Sequence, residues 1–429
     1  MNQPEPCPNT APGSSTRSTN KEWKMASPQA VVVGGGIGGL AAATGLRRAG
    51  FDVTVVERAS SFQEVGAGIG LAPNATAALE RLGAARFLRD TAVRPVAATR
   101  RSWRTGEELV RTDLDGVAER FGTPFWFAHR GDLQTALLKA ATDPEGPGQP
   151  VRLLTDVACR GVDVSNSTVE LADGRTMSAD LIVGADGIRS MVRRSLFGAD
   201  SVRFSHNAAF RTQVPVAGEG RSAALTELIE RRSFESWLGP DGHVVHAPFR
   251  SGTEVNVTIC LEVDEPVEVG TVAPADRGEV LARLDGWNPA LRELVESGGP
   301  VFRYDIYDIE PLDSWVQGRV VLLGDAAHPM LPYLGQGAAQ AIEDGEYLGR
   351  CLGEAGVDIA EGLERYERAR RPRATAVQTL SRENRHLFHV PDGPAQVARD
   401  ARLRQGASDG DVFAWLYRLD ALPPREHAS

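Results

Sequence analysis

Three clusters in this chain combine residue types and spacings suited to holding a nucleotide. The first is Gly34-Gly35-Gly36-Ile37-Gly38-Gly39, a G-x-G-x-x-G at Gly34, Gly36 and Gly39, with Glu57 downstream. Its chemistry is recognition of a diphosphate by backbone N–H groups and of a ribose diol by a carboxylate. The second is Gly184-Ala185-Asp186-Gly187-Ile188-Arg189-Ser190. The third joins Gly324-Asp325 to His328, Tyr333 and the turn Gly335-Gln336-Gly337-Ala338. Proton handling near neutral pH points to the histidines, above all His243 and His246 in HVVHAPFR.

Regular elements must position these groups. Ala30 to Val33 is a short, valine-rich run that suits a buried parallel strand. Leu40 to Ala49 is alanine-rich and helical, and Phe51 to Val56 is a second strand closed by Glu57. In this strand–turn–helix–strand unit, Gly34 permits the turn and Gly36 lets a pyrophosphate approach. Gly39 allows close packing of the helix. Ile37 and Gly38 open the helix, where free N–H groups collect. Ala179 to Val183 and Arg319 to Leu323 are further buried strands, ending at Gly184 and Gly324-Asp325. A carboxylate so placed stands at the crevice where ligands bind in such folds.

The rest of the chain sets limits. Its 429 residues suffice for two or three domains, and 42% hydrophobic with 24% charged residues is ordinary for a globular protein. A net charge of −10 does not suggest a nucleic-acid surface. The four cysteines, Cys7, Cys159, Cys260 and Cys351, are scattered without metal spacing, so reduced thiols in a cytoplasmic protein and no metal site are expected. No apolar run approaches the roughly 20 residues that span a bilayer. Residues 1–26 read as a disordered tail, with Met25 an alternative start.

Along the chain, the pattern predicts helices over Pro73–Leu82, Leu133–Ala140, Pro274–Val295, Gln336–Leu352 and Gly362–Arg385. Val151 to Leu171 reads as a β-meander, with Ala172 to Arg175 as a hairpin turn. From Ala208 to Val263 residues alternate, which predicts an antiparallel sheet. The expected organisation is a first nucleotide-binding part over 27–205, with a strand insertion near 97–127, then a sheet domain over 206–300. The final nucleotide-binding part follows over 301–345, and C-terminal helices over 346–429. The fold class is α/β: a Rossmann-like domain with an inserted, mostly antiparallel sheet and a helical C-terminal segment.

Together the three motifs resemble the single-component FAD-dependent aromatic hydroxylases, the group of salicylate hydroxylase, 3-hydroxybenzoate 6-hydroxylase and 6-hydroxynicotinate 3-monooxygenase. The resemblance covers about residues 28 to 390. It implies that Gly34, Gly36, Ile37, Gly38 and Gly39 hold the FAD pyrophosphate and Glu57 the adenosine ribose, with Arg47 and Arg58 near the adenosine and diphosphate. It further implies that Gly68 and Arg130 reach FAD and that the backbone of Val157 contacts the adenine. Asp186 and Gly187 would serve FAD and the nicotinamide donor, and Asp325 the ribityl chain. Gly335, Gln336, Gly337 and Ala338 would lie beside the isoalloxazine ring. Taken singly, Asp186 and Asp325 also read as helix caps, and Arg47, Arg58 and Arg130 as surface arginines.

The activity implied is hydroxylation of a phenolic or related aromatic ring with O2 and NADH or NADPH, through a flavin C4a-hydroperoxide. A group that takes up the phenol proton would help. His243 and His246 are three apart on a strand and so face opposite sides. His243 matches the family histidine, Ala247 stands where a tyrosine is expected, and Tyr333 and Arg211 are further candidates for the cavity. Ala247 lends weight to an epoxidase or other tailoring oxygenase as the alternative. A non-catalytic flavin-binding regulatory protein is a distant one. The expected partners are a small aromatic substrate and O2, with no nucleic acid or membrane, in a monomer or homodimer. His328 reads as structural, and Arg370-Arg371-Pro372-Arg373 as a solvated or helix-docking face.

Overall fold

In the computed structural model, residues 1, 27–62, 68–198, 202–354, 358–405 and 414–421 are described. The expectations for residues 2–26, Met25 among them, lie outside these. The nucleotide-binding layer is a six-stranded sheet. Its order is Val316–Gln317, Val320–Leu322, Leu181–Gly184, Gln29–Val33, Asp52–Val56 and Arg152–Leu154. All are parallel except the Val316–Gln317 edge. Parallel strands are covered on both faces, which is why they read as unbroken apolar runs. Here Ala30 to Val33, Val53, Val55, Val56, Leu181 to Val183 and Val320 to Leu322 are nearly inaccessible to solvent. The loops after three central strands all emerge at one end of the sheet and carry Gly34, Ala185-Asp186 and Gly324-Asp325.

The second layer is an eight-stranded sheet: Val272–Ala275, Val301–Asp308, Arg203–Pro215, Glu254–Glu262, Gly242–Phe249, Phe234–Gly239, Ala97–Ser102 and Glu108–Asp113. Alternation gives it two working faces. Val244, Val257, Ile259 and Leu261 pack beneath the helices Ala223–Glu230, Arg277–Arg283 and Pro289–Glu296. Ala209, Arg211, His243, Val245, Thr258 and Cys260 face the nucleotide-binding layer across a cavity.

Several boundaries differ from the sequence expectation. The sheet extends to Asp308 because Val301–Asp308 pairs antiparallel with Arg203–Arg211. The strands near 97–113 are its far edge, since Ala97–Ser102 pairs parallel with Phe234–Gly239. Arg152–Leu154 belongs to the parallel sheet, while only Cys159–Asp163, Thr168–Leu171 and Thr176–Ser178 form the meander. The stretch 274–295 divides into a strand end and two helices, broken at Gly286 with φ +76°. The helix Gly337–Gly353 runs across the boundary drawn at 345. The long helix Ile359–Phe388 begins at an Asp358 cap that accepts from the N–H of Glu361 at 2.7 Å. No helix among the described residues is long and apolar enough to cross a membrane.

Candidate active site

A cavity of about 510 Å3 lies between the two layers. It runs from Gly36, Ile37 and Gly38 past Asp325 and Gly335 to His243 and Phe234 on the second sheet. At its first end the glycine turn is fixed from two sides. The N–H of Gly35 donates to Glu57 Oε2 at 2.6 Å, and the Gly35 carbonyl accepts from Gln134 Nε2 at 3.1 Å. Gly34 sits at φ +105°, where a Cβ would stand 2.3 Å from the carbonyl oxygen of Ala185. At Gly36 a Cβ would meet nothing within 4 Å, so the turn leaves a side-chain-sized space open toward the helix N-terminus.

The far end is built by the Gly324-Asp325 loop and the Gly335–Ala338 turn. Asp325 is exposed on the cavity wall. Gly337 starts the helix Gly337–Gly353, so the first N–H groups of that helix border the cavity. A buried charge network holds both loops. Asp344 accepts from Gly324 N–H at 2.9 Å, Arg370 Nε at 2.8 Å and His328 Nε2 at 2.6 Å. Glu343 accepts from Asn74 Nδ2 at 2.6 Å, from Arg373 Nε at 2.8 Å and from Arg370. The same Asn74 amide donates to Gln336 Oε1 at 2.9 Å. Burial alone would raise the Asp344 carboxyl, but His328 and Arg370 outweigh it and bring it down to about 2. Arg370 and Arg373 are 2% exposed and dock the long helix, so the solvated-face alternative does not hold for them.

The remaining wall comes from the second sheet. Arg211 lines the cavity with its guanidinium 4.6 Å from the Tyr304 ring centroid. Among the described residues it has no carboxylate partner, and its Nε is buried without a hydrogen bond. Burial, then the nearby Arg130, lowers its pKa. His243 also lines the cavity, with Nδ1 2.9 Å from Nε2 of His389. Burial, then His389, holds His243 well below the ordinary imidazole range. His246 faces the opposite side beside Trp237, and burial, Arg101 and Arg231 bring it to about 3.

Other expected site residues lie as follows. Gly68, Arg130, Gly187, Gly335, Gln336, Gly337 and Ala338 border the cavity. The Gln336 side chain is committed to Asn74, so it is the backbone there that faces inward. Arg58 is exposed just past Glu57. The Val157 N–H donates to the Glu57 carbonyl at 3.1 Å, and its side chain is in the core.

Three placements correct the sequence reading. Arg47 stands at the far end of the helix Ile37–Arg48, about 15 Å from the glycine turn at 1.5 Å per residue. Its guanidinium donates to the carbonyls of Ala140, Ala141, Asp143, Gly146 and Gly148, which makes it a clamp on a loop. Asp186 turns away from the cavity. Its oxygens accept from Ser190 Oγ at 2.5 Å and from the N–H groups of Met191 and Val192 at 2.6 and 3.2 Å, capping the next helix. Tyr333 does not line the cavity; its hydroxyl lies behind the wall, donating to Asn207 Oδ1 at 2.9 Å. Ala247 is fully buried on the same strand face as His243 and Val245, packed against Phe127 of the cavity wall and Phe249.

Sequence reasoning missed Gln134, Asn207, Glu343, Asp344 and His389. Only the apolar Phe388 beside His389 hints that the long helix ends inside the protein.

The geometry fits a bound FAD. There is an open cradle at Gly36, a helix N-terminus at each end of the cavity, and an exposed carboxylate between them. The comparisons agree. A family model described as FAD binding domain matches residues 28–381. A 3-amino-4-hydroxybenzoate 2-monooxygenase of Streptomyces platensis is 39% identical over 399 residues, covering 92% of this chain and 97% of the relative. A 3-hydroxybenzoate 6-hydroxylase of Klebsiella oxytoca is 33% identical over 395 residues, covering 91% and 96%. Among solved structures, Klebsiella pneumoniae HpxO complexed with FAD and uric acid superposes with a TM-score of 0.78 at 25% identity, over 92% of this chain and 97% of that one. A salicylate hydroxylase substrate complex gives 0.75 at 26%, over 93% and 98%. The chain belongs to this FAD-binding-domain family, among its FAD-dependent aromatic monooxygenases.

Proposed function

We propose that the substrate is a small aromatic carboxylate with a ring hydroxyl, and that one atom of O2 is added to its ring while NADH or NADPH is oxidised and the other atom leaves as water. The observation that carries this is Arg211: a cation on the cavity wall with no carboxylate partner among the described residues. A half-buried guanidinium with no carboxylate partner is costly to desolvate, and a ligand carboxylate would offset that cost. The names of the relatives from Streptomyces platensis and Klebsiella oxytoca, both hydroxybenzoate hydroxylases, support the same class.

FAD, when bound, would carry the two electrons of the nicotinamide to O2, one atom of which enters the ring. The chain's residues bind and orient. The glycine turn and Glu57 take the nucleotide end, and Asp325 accepts from sugar hydroxyls. The N–H groups at Gly337 and Ala338, with the dipole of their helix, stabilise negative charge on the flavin ring. Arg211 anchors the carboxylate, His243 engages the ring hydroxyl, and the apolar Phe234, Val245 and Ile306 exclude water.

The test compares hydroxybenzoates with the matching phenols for stimulation of NAD(P)H oxidation, in the natural protein and in Arg211→Leu. The carboxylates should be preferred, and the substitution should raise their KM about ten- to a hundredfold, as expected for losing a charged hydrogen bond. Equal use of phenols lacking the carboxylate would overturn the assignment.

A further inference from the structure

Four buried side chains from separate elements form one hydrogen-bonded row behind the cavity. Tyr333 lies in the turn Pro332–Leu334, Asn207 in the strand Arg203–Pro215, His389 just past the long helix and His243 in the strand Gly242–Phe249. The Tyr333 hydroxyl donates to Asn207 Oδ1 at 2.9 Å, Asn207 Nδ2 lies 3.5 Å from His389 Nδ1, and His389 Nε2 lies 2.9 Å from His243 Nδ1. Asn207 is inaccessible to solvent, and the other three are 3–7% exposed.

The direction of each bond follows from the first. A buried phenol O–H needs an acceptor, and among the described residues the Tyr333 hydroxyl has only Asn207 Oδ1. That turns the amide nitrogen of Asn207 toward His389. An amide nitrogen only donates, so His389 Nδ1 accepts. Burial, then the charges of Arg385 and His386, keeps the His389 ring neutral, with a pKa of about 3. A neutral ring accepting at Nδ1 carries its proton on Nε2, and that proton points at His243 Nδ1. His243, neutral as well, then carries its own proton on Nε2, the nitrogen left for the cavity.

We propose that His389 is a positioning residue that fixes His243 as the Nε2–H tautomer, so that His243 donates to the substrate's ring oxygen and the substrate is held as its oxyanion. His243 is thereby a hydrogen-bond donor rather than a base, and the hydroxyl proton goes to solvent as the substrate binds. An oxyanion carries more electron density into the ring, which favours attack by an electrophilic oxygen. The proposal rests on the reading of this cavity as the aromatic site.

Two measurements on the FAD-loaded protein test it. The first is nitrogen NMR with labelled histidine, the His243 signals being identified by their loss in His243→Gln. An Nε2–H, Nδ1-acceptor pattern is expected; the reverse pattern overturns the proposal, whatever the substrate proves to be. The second is binding of two probes to the natural protein and to His389→Phe, with FAD content as the control for folding. Binding of 3-nitro-4-hydroxybenzoate, ionised at neutral pH, should weaken about tenfold, the order expected for a hydrogen bond to a charged group. Binding of 3-nitrobenzoate, which lacks the hydroxyl, should change less than about twofold. Equal weakening of both probes, or of neither, overturns the proposal. If neither probe binds the natural protein, the substrate reading fails, and the tautomer measurement alone decides the role of His389.

Discussion

Gly39 lies so close to Gly34 that a Cβ on Gly39 would stand 1.9 Å from the Gly34 carbonyl oxygen. Three positions earlier, at the helix opening, a Cβ on Gly36 meets nothing within 4 Å. One glycine is needed by the protein and the other by its ligand. Gly39→Ala should therefore fail to give stable protein. Gly36→Ala should fold with the melting temperature of the FAD-free protein unchanged, yet bind FAD at least about tenfold more weakly. Flavin fluorescence titration with a thermal melt checks this; unchanged FAD affinity in Gly36→Ala would remove that glycine from the diphosphate site.

The buried network around Glu343 and Asp344 predicts a large stability loss from a single change. Arg370→Met leaves both carboxylates short of a partner in a site closed to solvent, where Glu343 and Asp344 are fully buried. Breaking a buried pair in this way costs about 3–5 kcal/mol. Because the network also holds Gly324 and Gln336, FAD retention should fall with it. Denaturant unfolding and flavin content measure the two effects.

The buried histidines predict how stability follows pH. In the unfolded chain a histidine titrates near 6.5. In the fold, burial first and neighbouring positive groups second bring His246 and His389 to about 3, with His243 also lowered. Between pH 6.5 and 3 the unfolded chain binds more protons, so stability is complete above 6.5 and falls as pH falls. Each histidine contributes roughly 1.4 kcal/mol per pH unit below 6.5. The denaturation midpoint should drop between pH 7.5 and 5.5, and His246→Phe should flatten the slope; a level profile would contradict the burial argument.

The two faces of the strand Gly242–Phe249 predict different outcomes for its histidines. His243→Ala should lower the fraction of NAD(P)H oxidation that ends in hydroxylated product. His246→Ala, on the helix-packed face, should mainly lower the melting temperature. Product yield per nicotinamide oxidised distinguishes them, and the reverse order would place the substrate elsewhere.

What the sequence discloses, and what it hides, follows from the range of the interactions. The glycine turn, its two strands and the helix Pro73–Leu82 are local patterns, with period and punctuation read within a dozen residues. Asp186 is different: its capping role is equally local, but the motif that contains it drew it toward the ligand. Arg47 is near the turn in sequence but ten positions along a rigid rod from it in space. Arg370 and Arg373 look solvated because Glu343 and Asp344, which neutralise them, sit on another helix. The row from Tyr333 to His243 joins positions 126 to 182 residues apart, and no periodicity records such a pairing. The strand Val301–Asp308 lies in the second layer rather than the nucleotide-binding one, because its partner, Arg203–Pro215, and not its own pattern decides where it lies.

The most direct test is to supply the purified protein with FAD, NADH or NADPH, a panel of hydroxybenzoates and isotopically heavy O2, and to weigh the product. One heavy oxygen atom in the ring of a consumed aromatic carboxylate, with NAD(P)H oxidation stimulated by that compound, is the predicted result. A protein that binds FAD but oxidises NAD(P)H no faster with any member of the panel, and yields no labelled aromatic, would contradict the assignment.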